Sequence, residues 1–404
     1  MALQDTAGQA PGKASFIYDP KIRSIAAQVA LALLLVYLGY SIVTNTAANL
    51  ERQNIASGFG FLNTTAGFAI TQSLIDYSET STYGRTFLVG LLNTLLVSAL
   101  GIFFATIIGF VVGISRLSHN WVIAKMATVY VETLRNIPLL LQIFFWYFAV
   151  LRALPSKQDK WSILGTFHMN ITGFYGPRPV YGEGSQFTIY AFLLGIVATL
   201  AVHTWAKRRQ MATGQQFPML QTALGLIFGL PLVIYLVTGM PIGLDFPQFV
   251  DTGPKLRQGF QSGHGFTLIP EFIALLLALS LYTATFIGEI VRAGILAVSH
   301  GQTEAAHALG LRHGPTLRLV IIPQAMRVII PPLTSQYLNL TKNSSLAVAI
   351  AYPDLVSVFA GTTLNQTGQA VEILAMTMTV YLTISLLTSY FMNWFNAKMA
   401  LVER

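Results

Sequence analysis

The sequence predicts an all-α integral membrane protein of about eight transmembrane helices, and three observations carry that prediction. Apolar runs long enough to cross a bilayer recur along the whole chain. Charged residues make up only 10% of the 404 positions and hydrophobic ones 53%, whereas soluble domains carry about a quarter charged. Lysine and arginine also gather in alternate loops. Helices are the expected element, because lipid leaves exposed backbone groups unpaired and no barrel-like alternation runs through the chain.

The apolar runs lie at 24–44, 86–115, 127–151, 187–205, 218–239, 271–298, 333–358 and 371–395. Each matches the ~20 residues that span ~30 Å of hydrocarbon, or somewhat exceeds it. The first is too long for the apolar core of a cleaved signal peptide and no clean A-x-A site follows it, so it is expected to remain. In the second, Gly101, Gly109 and Gly113 invite close helix packing. The seventh is interrupted by polar residues.

Orientation follows the cations. Lys13, Lys21 and Arg23 precede the first run, Arg116 and Lys125 follow the second, and Lys207-Arg208-Arg209 follow the fourth. Arg312, Arg318 and Arg327 lie between the sixth and seventh, and Lys398 and Arg404 lie in the tail. The opposite loops mix signs, so both termini are expected in the cytoplasm. The formal charge of +8 is explained by these loops, and no basic cluster with interleaved aromatics points to nucleic acid. With no cysteine, disulfides and thiolate chemistry are excluded.

Between the sixth and seventh runs, Glu304-Ala305-Ala306 is followed by Gly310 and then by Val320-Ile321-Ile322-Pro323. Small alanines keep a short helix thin, while Gly310 and the His313-Gly314-Pro315 break let the chain turn. An amphipathic helix resting on headgroups would not require these fixed distances. The pattern resembles the EAA loop of binding-protein-dependent ABC importer permeases. Arg135-Asn136-Ile137-Pro138-Leu139-Leu140 and the Gly288–Gly294 segment narrow the resemblance to polar amino-acid permeases. The resemblance covers 86–155 and 271–395 and implies a type I (MetI-like) permease core. Residues 156–270 depart from a compact five-helix core and look like the insertion of the general L-amino-acid branch. The implied domains are 1–85 (N-terminus, first span and outer loop), 86–395 (permease, interrupted by the insertion) and a 396–404 tail. The insertion shows no chemical motif, and its Gly173–Pro179 stretch reads as an outer loop, passive or docking a binding protein.

The resemblance further implies that Glu304, Ala305, Ala306, Gly310 and Pro323 couple to two separate ATPase subunits that hold ATP and Mg. It also implies a second permease subunit, unlike or identical, a periplasmic amino-acid-binding protein, and residence in a bacterial inner membrane. A substrate pathway is sought among intramembrane polar residues. Lys342, ten residues past Pro332, falls near mid-membrane, where a charge costs about 2.5–3.5 kcal/mol unless an aqueous path or an anion offsets it. Asn343, Ser344 and Ser345 beside it can cap a locally unwound helix. Asn93, Thr94 and Gln142 are further candidates for the same path, or for hydrogen bonds between helices. A structural alternative pairs Lys342 with Asp354. Glu289–Arg292 and Glu132–Arg135 have the spacing of internal ion pairs.

No phosphate-binding G-x-x-x-x-G-K-[ST] loop occurs, so ATP is not bound by this chain in that manner. The seven histidines lack metal-ligand spacing, and no nucleophile elbow or paired carboxylates suggest an enzyme. The rival reading is an ion-gradient-driven secondary transporter, which would have no use for an ATPase socket.

Overall fold

The computed structural model describes residues 20–52, 57–261 and 263–399, so the expectations for Lys13, Arg404 and the end of the tail lie outside it. In chain order the helices begin with α1 (Pro20–Arg52), α2 (Tyr83–Ser115), α3 (Trp121–Arg135) and α4 (Leu139–Phe144). The insertion supplies strands β1 (Trp161–Ile163), β2 (Phe167–Asn170), β3 (Gly173–Gly176) and β4 (Arg178–Tyr181), then α5 (Ser185–Thr213), α6 (Met219–Leu224) and α7 (Leu230–Val237). Strands β5 (Ile242–Asp245), β6 (Phe249–Val250), β7 (Gly259–Phe260) and β8 (Phe266–Leu268) lead into α8 (Pro270–Leu296). After α8 come α9 (His300–Ala308), α10 (His313–Thr316), α11 (Ile322–Asn343), α12 (Leu364–Thr367) and α13 (Ala370–Met399). Among the described residues seven helices are long and apolar enough to span a membrane, or eight if the bent α3–α4 pair is one span.

The core is the seam between α2 and α8. Val97 and Ala105 of α2 meet Leu275, Leu279 and Ile287 of α8, all fully buried, and Ile330 and Leu340 of α11 close the cluster. The glycines of α2 make this approach possible. A Cβ at Gly109 would lie 2.5 Å from Ile287 Cγ2, and one at Gly113 would lie 2.6 Å from the Gly288 carbonyl oxygen. Small residues therefore bring two backbones into contact, the source of helix association where lipid is as apolar as the side chains.

Two spans differ from the sequence expectation. The third is not continuous over 127–151: α3 and α4 meet at 105° across Asn136-Ile137-Pro138. Pro138 has no N–H to donate and pushes Ile137 out of the helical region. The seventh runs from His313 to Ile350, about twenty residues ahead of the expected 333–358. Pro315 falls in the first turn of that helix, where proline is tolerated. A π-helical turn over Leu317–Ile321 precedes Pro323, which enters α11 where its missing N–H breaks little. The 313–315 break is thus a helix start, and the chain turns earlier, at Gly310.

The expected outer loops of the insertion are in part ordered strands. Strands β1, β2, β3 and β8 form an antiparallel sheet with Trp161 opposite Met169 and Phe174 opposite Leu268. The β4–β5 ribbon sets Arg178 against Asp245, 3.2 Å apart, and Tyr175 stacks on Phe260 at 3.9 Å. The Gly265 N–H, His264 and Arg178 hold the Asp245 carboxyl below the usual carboxylate range.

Candidate coupling loop and translocation face

The α9 loop is built as a helix–turn–helix. Ala306 is buried against the body of the protein, while Glu304, Ala305, His307 and Ala308 are exposed on the other faces of α9. The helix ends because Gly310 adopts φ +77°, and the Gly310 N–H donates to the His307 carbonyl while the Leu311 N–H donates to that of Ala306. Leu309, at the tip, is 82% exposed. Gln324 of α11 donates to Gln302 of α9 at 3.1 Å, fixing the short helix to the long one. Pro323 lies half-buried at the base of this joint.

An ion cluster braces the same side of the molecule. Arg116 pairs with Glu289 and reaches Glu132 at 3.8 Å, while Arg292 pairs with Glu289 at 3.1 Å. The expected Glu289–Arg292 pair is present. Arg135, however, lies over the Phe286 ring at 5.4 Å instead of pairing with Glu132. The residue that sequence reasoning missed is Arg116, which joins the ends of α2, α3 and α8; its partners lie 16 and 173 positions away.

The polar run at the end of α11 divides between two cavities. The α-helix ends at Asn343 and tightens to a 3-10 turn, Ser344–Ile350, which stops where Ala351 takes φ +58°. Ser344 and Ser345 hydroxyls donate back to the carbonyls of Thr341 and Lys342, both at 2.7 Å. Lys342 and Ser345 line a cavity of about 540 Å³ with Thr377, Met378 and Tyr381 of α13. Asn343 instead joins Gln336, Asn339, Tyr282, Thr283 and Phe286 around a cavity of about 260 Å³ between α11 and α8. Gln336, Asn339 and Asn343 recur at three and four residues, so one face of α11 carries three amides. The same spacing is visible in the sequence.

Lys342 has no carboxylate within 4 Å among the described residues, so the structural pair with Asp354 does not form. Asp354 is fully buried and accepts from the Ser357 N–H at 2.8 Å and the Tyr381 hydroxyl at 3.4 Å.

Asn93, Thr94 and Gln142 sit apart from these cavities, buried and hydrogen-bonded. The Asn93 amide donates to the carbonyls of Pro353 at 2.8 Å and Gln72 at 2.9 Å. Thr94 accepts from the Leu355 N–H at 3.0 Å, and the Tyr352 hydroxyl donates to the Asn93 carbonyl at 3.2 Å. The Gln142 amide donates to the carbonyls of Leu134 at 2.7 Å and Ile137 at 2.9 Å, the groups freed by the Pro138 break. These side chains clasp non-helical backbone beside the helices, where burial requires protein to satisfy it.

A helical multi-pass body with an exposed helix–turn–helix on one side and cavities along α11 has the form of a membrane permease. Residues 101–401 match the binding-protein-dependent transport system inner membrane component family, and the chain belongs to that family. It is 54% identical to the general L-amino acid transport system permease protein AapQ of Rhizobium johnstonii, over 96% of this chain and 95% of that one. It is 51% identical to the putative amino-acid ABC transporter permease protein YhdX of Escherichia coli, over 97% and 98%. A glutamate/glutamine/aspartate/asparagine transport system permease protein, BztB of Rhodobacter capsulatus, is 42% identical over 98% and 99%. The gradient-driven rival finds no support in these relatives.

Proposed function

We infer that the chain is the permease subunit of an ABC importer for L-amino acids and that α9, Gly310 and α10 form its joint with separate ATPase subunits. The observation that carries this is the exposed α9 face and Leu309 tip, held out by a glycine that must have positive φ. The names of the three relatives support the substrate class. On this reading two ATPase subunits hold ATP and Mg, and a periplasmic binding protein delivers the amino acid. A second permease, unlike or identical, completes the path. The distribution of lysine and arginine supports placing α9 and both termini in the cytoplasm of a bacterium, below its inner membrane.

Gly310→Val tests the joint. A Cβ there would meet open space, so the substitution acts through the backbone: a β-branched residue is strained at φ +77°. Membrane insertion should be normal while ATPase association or ATP-coupled uptake is lost; unchanged transport at equal abundance refutes the assignment. The isolated chain in proteoliposomes should neither hydrolyse ATP nor accumulate substrate on a pH or sodium gradient.

Lys342 is the group on the pathway suited to the α-carboxylate that all amino acids share. A charge-assisted contact contributes about 1.5–3 kcal/mol, or about 10- to 150-fold in affinity. Lys342→Met should therefore weaken transport of chemically different amino acids together, with assembly intact. Loss confined to one side-chain class would place Lys342 at the variable end of the substrate instead.

A further inference from the structure

Between Glu183 and Asp245 the chain has no acidic residue, yet Lys207, Arg208 and Arg209 stand in succession near the end of α5. Arg209 is engaged locally, its guanidinium over the Trp205 ring at 5.4 Å and its Nη2 donating to Gln215 Oε1 at 3.3 Å. Lys207 and Arg208 have no carboxylate within 4 Å among the described residues. Lys207 also lines a cavity. His203, Ala206, Lys207 and Gln210 line it from α5, and Phe217 and Met219 line it from the turn into α6, enclosing about 420 Å³. His203, Lys207 and Gln210 are four and three residues apart, so their polar ends share one helix face. Cation and amide thus stand opposite aromatic and thioether surface, at the end of a membrane span.

The inserted hairpin packs chiefly on itself, α5 against α6 and α7, and only 11% of the most apolar window of α5 is buried inside the chain. Little else among the described residues packs on its apolar flanks, and the nearest source of negative charge at the end of such a span is the headgroup layer. Basic pockets between membrane helices bind anionic headgroups, held by charge at the phosphate and by apolar contact below it. Trp205 stands on α5 two residues before Lys207, where an indole marks the boundary between hydrocarbon and water. We propose that this cavity is a binding site for one anionic phospholipid, its phosphodiester on Lys207, His203 and Gln210 and its glycerol end on Phe217 and Met219. An acidic surface of another protein subunit would account for the cations but not for the apolar wall of Phe217 and Met219, which suits a lipid's glycerol end.

The test uses the complete transporter, the chain with its co-purifying subunits, in nanodiscs of phosphatidylcholine and phosphatidylglycerol, with retained lipids counted by native mass spectrometry. Nanodiscs expose both faces, so the result does not depend on which side is cytoplasmic or on the amino-acid reading. Phosphatidylglycerol should be retained in preference to phosphatidylcholine. Each juxtamembrane charge changes such binding about 5-fold, so Lys207→Gln and Gln210→Glu should each lower occupancy by about that factor. Gln210→Lys should raise occupancy by a similar factor, a gain that misfolding does not produce. Lys125→Gln, a cation on α3 outside the cavity, should leave it unchanged. The proposal is overturned by equal retention of the two lipids, or by equal losses in Lys207→Gln and Lys125→Gln, which would mean diffuse surface charge. Displacement of the lipid by inorganic phosphate would make this a free-anion site, and exclusion of lipid by a bound subunit would make it a protein contact; either also overturns it.

Discussion

Helix α8 buries 56% of the residues in its most apolar window inside the chain, whereas α5, of similar length, buries 11%. Both are apolar enough to span a membrane, so hydrophobicity does not separate them. What separates them is the partner. Helix α8 meets the glycine face of α2 and the amide face of α11, and around that seam non-helical backbone is clasped by Asn93, Thr94 and Gln142. Helix α5 meets α6 and α7, and its end carries cations without acidic neighbours. One region is organised to hold broken helices in register; the other is a hairpin attached through strands. Apolar length brings a segment into the membrane, and small or amide side chains decide whether it joins the core.

The comparison breaks most sharply at Gly109. Gly109→Leu would drive a branched side chain into Ile287, and overpacking of this kind costs typically ~1–3 kcal/mol, more where backbone cannot yield. Thermal unfolding of the purified transporter should shift strongly downward. At Gly229, where a Cβ meets nothing, Gly229→Ala should stay within about 0.5 kcal/mol. Equal effects at the two glycines would erase the distinction between core and hairpin.

Next in size is the clasp at the Pro138 break. Gln142→Leu keeps the volume but removes both donors to the Leu134 and Ile137 carbonyls, each of which then costs about 1–3 kcal/mol. Hydrogen exchange should rise around 134–142 and transport should fall with it. Wild-type exchange in that segment would show that the break is held by something else.

Within the hairpin, Gly195→Leu would place a Cβ 2.1 Å from the Leu226 carbonyl oxygen, so α5 must part from the turn before α7. The expected damage is local. Cysteine crosslinking between α5 and α7 should fail, while crosslinks between α2 and α8 persist. Failure of both would mean that the core depends on the hairpin.

The smallest effect concerns the strand layer. Burial, aided by the Lys160 charge, lowers the His168 pKa, and its ring lies 5.5 Å from that of Phe260. Because folding favours the neutral ring, this contribution is complete above the unfolded value of about 6.5 and is lost as pH falls through that value toward the lower folded one. Hydrogen exchange in 161–175 should accelerate on acidification through this window, and His168→Gln should flatten the dependence. Acceleration of the same size in the variant would assign the effect to another group.

Spans were legible because lipid demands ~20 apolar residues in a row, and a run of that length shows in any window. The α9 loop was legible too, since Gly310 and Pro323 declare backbone geometry at their own positions. Less was readable where partners lie far apart. The strands hold two to four residues each, too few for alternation to emerge, and β3 finds β8 some 90 positions later. Lys342 stands out in the sequence as the costly charge, whereas Gln336, Asn339 and Asn343 form a face only by their helical spacing.

The sequence by itself determined the membrane class, the approximate place of most crossings and the turn at Gly310 between α8 and α11, because each depends on local length, charge or a special φ. Tertiary structure alone decided that Asn93, Thr94 and Gln142 are clasps, that Lys342 and Asn343 open onto different cavities, and that Arg116 is the partner of Glu289. The reason is physical. A buried amide or cation is defined by whichever carbonyl or carboxylate the fold brings within ~3 Å, because a donor left unmet away from water costs free energy.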